Sequence, residues 1–160
     1  MENVYEYTRN TLKAGEEARQ TVNSNLGGPF GAAIVDETGK IFLASNTVLG
    51  SNDPTAHAEI NAIRKTCEEK QSHDLTGCTL YTTCYPCPMC ISACIWANIK
   101  TVHYGCAAED AKKIGFRDDY IYDFIEGGGK DDKVLSLHAE DKKECLALFE
   151  YYKEHNKQLY

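Results

Sequence analysis

From Thr55 to Ile114 the chain alternates between segments of helical and of strand character, and no other feature narrows its fold as far. Ala58, Ala62 and Ile63 recur at helical intervals behind Pro54, which predicts a helix from Thr55 to about Lys70. Cys78 to Thr83 is short and β-rich, Pro88 to Ala97 reads as the next helix and Thr101 to Cys106 as the next strand. A short helix from Glu109 to Ile114 stops at Gly115. Upstream, residues 2–24 place Val4, Thr8, Thr11, Ala18 and Val22 on a helical stripe that Gly27-Gly28-Pro29 ends. Gly31 to Val35 and Ile41 to Val48 flank the turn Asp36-Glu37-Thr38-Gly39-Lys40, which predicts a hairpin.

Interleaved helices and strands imply a largely parallel sheet covered on both faces, with the opening hairpin as its antiparallel exception. The expected class is therefore α/β, a three-layer α/β/α fold. Residues 116–140 are less regular and break at Gly127-Gly128-Gly129. A strand at Val134 to His138 would make the mixed sheet five-stranded, ahead of a final helix from Asp141 to about His155. A single domain over 1–160 is expected, because the part beyond that break is too short for a core of its own.

Lys and Arg number 17 against 24 Asp and Glu, a net charge of -7, and both halves of the chain are acidic. Tight nucleic-acid binding rests on cations that neutralise phosphates, so a small-molecule partner is favoured over nucleic acid. No stretch approaches 18 apolar residues, and the N-terminus, Met1-Glu2-Asn3-Val4-Tyr5-Glu6, has no apolar signal core. No membrane partner and a cytoplasmic location are the resulting expectations. In a reducing compartment eight cysteines point to metal binding rather than to disulfides.

Two local patterns meet that expectation, His57-Ala58-Glu59 opening one helix and Pro86-Cys87-Pro88-Met89-Cys90 opening the next. Cysteines three apart in a first helical turn present both sulfurs on one side, and one imidazole completes a three-ligand set. The open fourth position suits a catalytic zinc, which lowers the pKa of a bound water towards about 7. Glu59 lies two residues from His57 on another side of the helical wheel, so it is placed to handle protons rather than to ligate. Either pattern alone has a plain structural explanation, since buried cysteines are common. A sharper rival is an iron–sulfur run, because Cys84, Cys87, Cys90 and Cys94 form C-x2-C-x2-C-x3-C. That run normally continues with proline, whereas Ile95-Trp96-Ala97 extends an apolar helix here, and a cluster leaves His57 and Glu59 unexplained.

The two patterns together resemble the signature of the zinc-dependent cytidine deaminase superfamily, in which the glutamate is an acid and base and not a ligand. Within it, Gly27 to Ala32, Ser51 to Glu59, Ile95-Trp96-Ala97 and Gly115 to Tyr122 resemble the bacterial guanine deaminases, as does the terminal Tyr160. The likeness is close over residues 27–124. It implies a cytidine deaminase-like fold and hydrolysis of guanine to xanthine and ammonia, with one zinc per subunit held by His57, Cys87 and Cys90. It further implies that Glu59 shuttles protons, that Asp118 assists transfer at the amino-bearing side, that Phe30 stacks on the purine and that Asn46 bonds its edge. Trp96 and Tyr160 join the substrate pocket on the same ground. The family's dimers exchange their C-terminal segments, so a homodimer swapping residues from about 116 to 160 is implied, with Asp118 and Tyr160 serving the neighbour's pocket. Judged without the family, Phe30 is as readily plain core as a stacking platform, Asn46 is a turn residue and Asp118-Asp119 a solvated pair. Rival substrates for the same chemistry are cytosine, a guanosine-type nucleoside, a triazine and tRNA adenosine, and the rival outside catalysis is a metal-binding module.

Overall fold

A computed structural model describes residues 4–155 and 158–160, with side chains from Arg9 onward. It divides into two compact units, Met1–Asp118 and Asp119–Tyr160. The first contains α1 (Val4–Asn23), β1 (Gly31–Val35), β2 (Ile41–Ser45), α2 (Val48–Ser51), α3 (Ala58–Lys70), β3 (Thr79–Cys84), α4 (Pro88–Trp96), β4 (Thr101–Cys106) and α5 (Ala108–Lys113). The second contains α6 (Asp119–Glu126) and α7 (Lys142–His155). Residues 2–3, at the expected start of the first helix, lie outside the described residues.

The sheet runs in the order β2-β1-β3-β4. β1 is antiparallel to both neighbours and β3 is parallel to β4, so β2, β3 and β4 share a direction and the one reversed strand sits inside the sheet. β1 is an unbroken apolar run, Gly-Ala-Ala-Ile-Val, because both its faces are covered. Ala32 and Ile34 point into the larger core with Ala58 and Ala62 of α3, Leu80 of β3 and Cys94 of α4. Ala33 points the other way, towards Ala14 of α1 and Tyr81 of β3. Those two faces are the layers of the α/β/α arrangement. α1 approaches β1 so closely that a Cβ on Gly31 would stand 1.8 Å from the Ala14 carbonyl oxygen, which only glycine allows.

Four strands form among the described residues, not five. The segment expected as the fifth, Val134 to His138, is irregular: Asp131 accepts backbone N–H bonds from Val134 and Leu135 through its carbonyl and from Lys133 through its carboxylate, curling the chain into a turn. α6 lies where the sequence reads as less regular. Tyr120, Ile121, Phe124 and Ile125 carry its helical spacing, and Gly128 and Gly129, both with positive φ, end it. β2 stops at Ser45, short of Val48, because the Asn46 side chain accepts the Val48 N–H and turns the chain into α2. α3 begins at Ala58 rather than Thr55, since Asp53 closes a turn onto the N–H and hydroxyl of Thr55. Among the described residues, no helix is long and apolar enough to cross a membrane.

Candidate active site

β3 delivers the chain to the start of α4, and the two-strand excursion through β1 and β2 delivers it to the start of α3. His57 is the N-cap of α3 and Cys87 the N-cap of α4, both extended, with φ -67° at each. Pro88 follows Cys87 at the first helical position, where its fixed φ and missing N–H suit the turn. The two helix starts converge. His57 Nδ1 lies 3.6 Å from Cys87 Sγ and 3.6 Å from Cys90 Sγ, and the three atoms all fall within 4.8 Å of one another. Two sulfurs and one imidazole nitrogen at this spacing fit zinc, and the positive ends of both helix dipoles favour thiolate there. The surroundings already act on the thiols. Cys87 is drawn down to about 4, first by the Cys90 thiol and then by the His57 imidazole, while its bond to Cys87 and burial push Cys90 up. The hydrogen bond to Cys87 raises His57.

Cys84 and Cys94 stand outside this cluster, which removes the iron–sulfur alternative. Cys84 donates to the Ala107 carbonyl at 3.5 Å and Cys94 is packed in the larger core, and burial pushes both thiols up to about 11.

Glu59, in the first turn of α3, is 6% exposed. Its Oε1 accepts the Thr82 hydroxyl at 2.9 Å, and its Oε2 lies 3.5 Å from Cys90 Sγ, beside the metal-ligand cluster. Burial raises its pKa, against the pull of the Thr82 hydrogen bond. A carboxyl so placed can take up and return protons beside the cluster. Thr82 was not anticipated, because in a strand-rich run threonine reads as propensity. The available signal was its position: Leu80 and Thr82 share the α3-facing side of β3, where a fully buried hydroxyl requires a partner.

Asn46 is buried, and its Oδ1 accepts N–H bonds from Gly28 and Val48, both at 3.2 Å. With the carbonyl end committed, the amide NH2 is the end left for a further partner. A Cβ on Gly27 would lie 2.0 Å from the Asn46 backbone oxygen, so glycine is required beside this seat. Asn61 of α3 ties the loop down, donating to the carbonyl of Ser45 at 2.9 Å and to the Thr47 hydroxyl at 3.0 Å.

Phe30 is half-buried against the larger core and meets Phe116 edge to face at 4.9 Å. Trp96, the last residue of α4, is 70% exposed. Asp118 is half-buried in the first unit, and its charge, like that of Glu59, bears on the Cys84 thiol of the same chain. Tyr160 belongs to the second unit and is exposed.

Residues 1–106 match the family described as the cytidine and deoxycytidylate deaminase zinc-binding region. The chain is 41% identical to the guanine deaminase of Bacillus subtilis over 85% of its length and 86% of the relative's. The crystal structure of guanine deaminase from that organism superposes with a TM-score of 0.88 at 39% identity, covering 96% of this chain and 98% of that one. A probable cytosine deaminase of Schizosaccharomyces pombe is 33% identical over 68% of this chain and 63% of its own length. With His57, Cys87 and Cys90 gathered beside a buried Glu59, the chain belongs to the cytidine and deoxycytidylate deaminase zinc-binding family.

Proposed function

We propose that this chain is a zinc-dependent guanine deaminase, hydrolysing guanine to xanthine and ammonia. One observation carries the chemistry: the buried Glu59 carboxylate is held against the His57, Cys87 and Cys90 cluster, with Oε2 on the cluster side. The choice of guanine rests on the likeness to the Bacillus subtilis enzyme over nearly the whole of both chains.

His57, Cys87 and Cys90 would hold one zinc per chain, and zinc bound there supplies a water acidic enough to ionise near neutral pH. Glu59 accepts a proton from that water as the water's oxygen adds to the amino-bearing carbon, and delivers the proton to the adjacent ring nitrogen. It then carries the proton of the added hydroxyl to the amine, which leaves as ammonia as the carbonyl of xanthine forms. Asn46 presents its NH2 to an acceptor on the purine edge. Phe30, Trp96 and Tyr160 enclose the base, and Asp118 assists at the amino-bearing side. Asp118 lies in the same compact unit as Glu59, which supports action in its own chain's pocket, unlike the exchange implied by the family likeness. Exchange between two copies, forming a homodimer in which each chain is one deaminase domain, is then confined to residues 119–160. Exposed Leu146, Leu148, Phe149 and Tyr151 of α7 supply the apolar surface that such a partner would cover. The acidic charge balance disfavours a tRNA substrate, and thiolate ligands suit the reducing cytoplasm.

The test is ammonia release from guanine, cytosine, adenine, guanosine, cytidine and adenosine by the zinc-loaded protein. Highest kcat/KM on guanine supports the assignment, and highest kcat/KM on cytosine overturns the substrate while keeping the chemistry.

A further inference from the structure

We propose that Thr82 is a positioning residue for Glu59, dividing the two carboxylate oxygens between an anchoring and a proton-carrying role. The inference rests on the reading above that Glu59 moves the protons.

Thr82 is fully buried on β3, a strand paired on both sides, where its register partners are Ala32 of β1 and Tyr104 of β4. The backbone that carries its hydroxyl is therefore fixed by two ladders, and a β-branched side chain has a restricted χ1. Glu59 has three rotatable bonds and would otherwise sample several orientations. Among the described residues its carboxylate meets two side chains, Thr82 through Oε1 and Cys90 through Oε2. Once Cys90 is committed to a metal, the Thr82 hydroxyl is the side-chain anchor that remains. Oε1 is then occupied, and Oε2 is the oxygen that faces the cluster and the reacting water. A carboxylate pinned by one oxygen and free at the other is aligned for proton transfer before substrate arrives, which raises kcat rather than substrate affinity.

The experiment compares Thr82→Val, which removes the hydroxyl at nearly constant volume, with Thr82→Ser, which keeps the hydroxyl and loses the methyl. Zinc content, melting temperature, kcat and KM for guanine are measured on each. Thr82→Val is expected to keep zinc and KM while kcat falls by roughly 10- to 100-fold, the scale of one hydrogen bond to a charged group. Thr82→Ser, although it melts earlier, is expected to keep kcat within about 3-fold of wild type. If Thr82→Val does not fold, Thr82→Ala is set against Thr82→Ser, since those two share the packing loss and differ only in the hydroxyl. A kcat unchanged in Thr82→Val, or an equal loss in Thr82→Ser and its hydroxyl-free counterpart, overturns the proposal. In a Glu59→Gln background the loss of the hydroxyl should cost nothing further, and a full additional loss there also overturns it. Glu59→Gln with normal turnover would instead overturn the proton-carrying role itself, a separate result from any Thr82 outcome in active enzyme.

Discussion

His57 Nδ1 stands 3.6 Å from Cys87 Sγ although 30 positions separate the two in sequence, because each is the N-cap of a helix and both helices start at one place. Zinc binding is the direct consequence. Metal analysis should find about one zinc per chain, and Cys87→Ser should lose most of it while the apolar core stays folded. Acidification should release the metal, because protons compete for the same three ligand atoms. Iron with labile sulfide, or full zinc retention in Cys87→Ser, would contradict this.

Glu59→Gln should keep zinc and fold but lose about 10²- to 10⁴-fold in kcat, since the amide accepts the Thr82 hydroxyl yet carries no proton. The folded state also gains from the change. Burial raises the Glu59 pKa, so its ionisation costs stability as pH rises above the unfolded carboxyl value, and that cost is absent below it. Metal-free Glu59→Gln should accordingly gain on metal-free wild type as pH rises from 4 to 7, as read by thermal denaturation. An advantage that shrinks over that range would contradict the assigned burial effect.

Asn46→Asp separates the two ends of the asparagine. A carboxylate can still accept the Gly28 and Val48 N–H groups, so the fold should persist, with a melting temperature lowered by burial of the charge, but the NH2 donor is gone. The expected result is a loss of at least about 10-fold in kcat/KM for guanine, whereas Asn46→Ala should lower both activity and stability. Wild-type kcat/KM in Asn46→Asp would remove the residue from the substrate edge.

Much of this architecture was legible beforehand, for reasons that differ by residue. His57, Glu59, Cys87 and Cys90 announce themselves because their chemistry needs those types at helix starts, and Pro54 and Pro88 mark such starts locally. β4 spans the residues its composition indicates. Three failures are places where one side chain redirects the backbone: Asn46 ends β2, Asp53 delays α3, and Asp131 turns the segment read as a fifth strand. None of these alters the hydrophobic period that the sequence reading follows. Thr82 was missed for another reason, since its role exists only through a partner 23 positions away. The inside position of β1, between β2 and β3, is likewise a long-range pairing that no local pattern carries.

Mixed dimers test the exchange of the second unit. If Tyr160 serves the partner's pocket, a dimer of Glu59→Gln with Tyr160→Ala has one pocket with both residues intact, so activity should return to about half of wild type. Glu59→Gln mixed with Asp118→Asn should stay inactive if, as proposed, both residues serve the same chain's pocket. Recovery in the second mixture, with the mixed dimer verified by mass, would extend the exchange to Asp118, and no recovery in the first would confine Tyr160 to its own chain.

The central claim is tested most directly by following xanthine and ammonia together when the zinc-loaded chain is given guanine. Equimolar xanthine and ammonia are expected, with a kcat/KM on guanine above that on cytosine or any nucleoside, and with both products abolished on zinc removal and restored by zinc alone. A chain that holds zinc at His57, Cys87 and Cys90 yet releases neither product from guanine would contradict it.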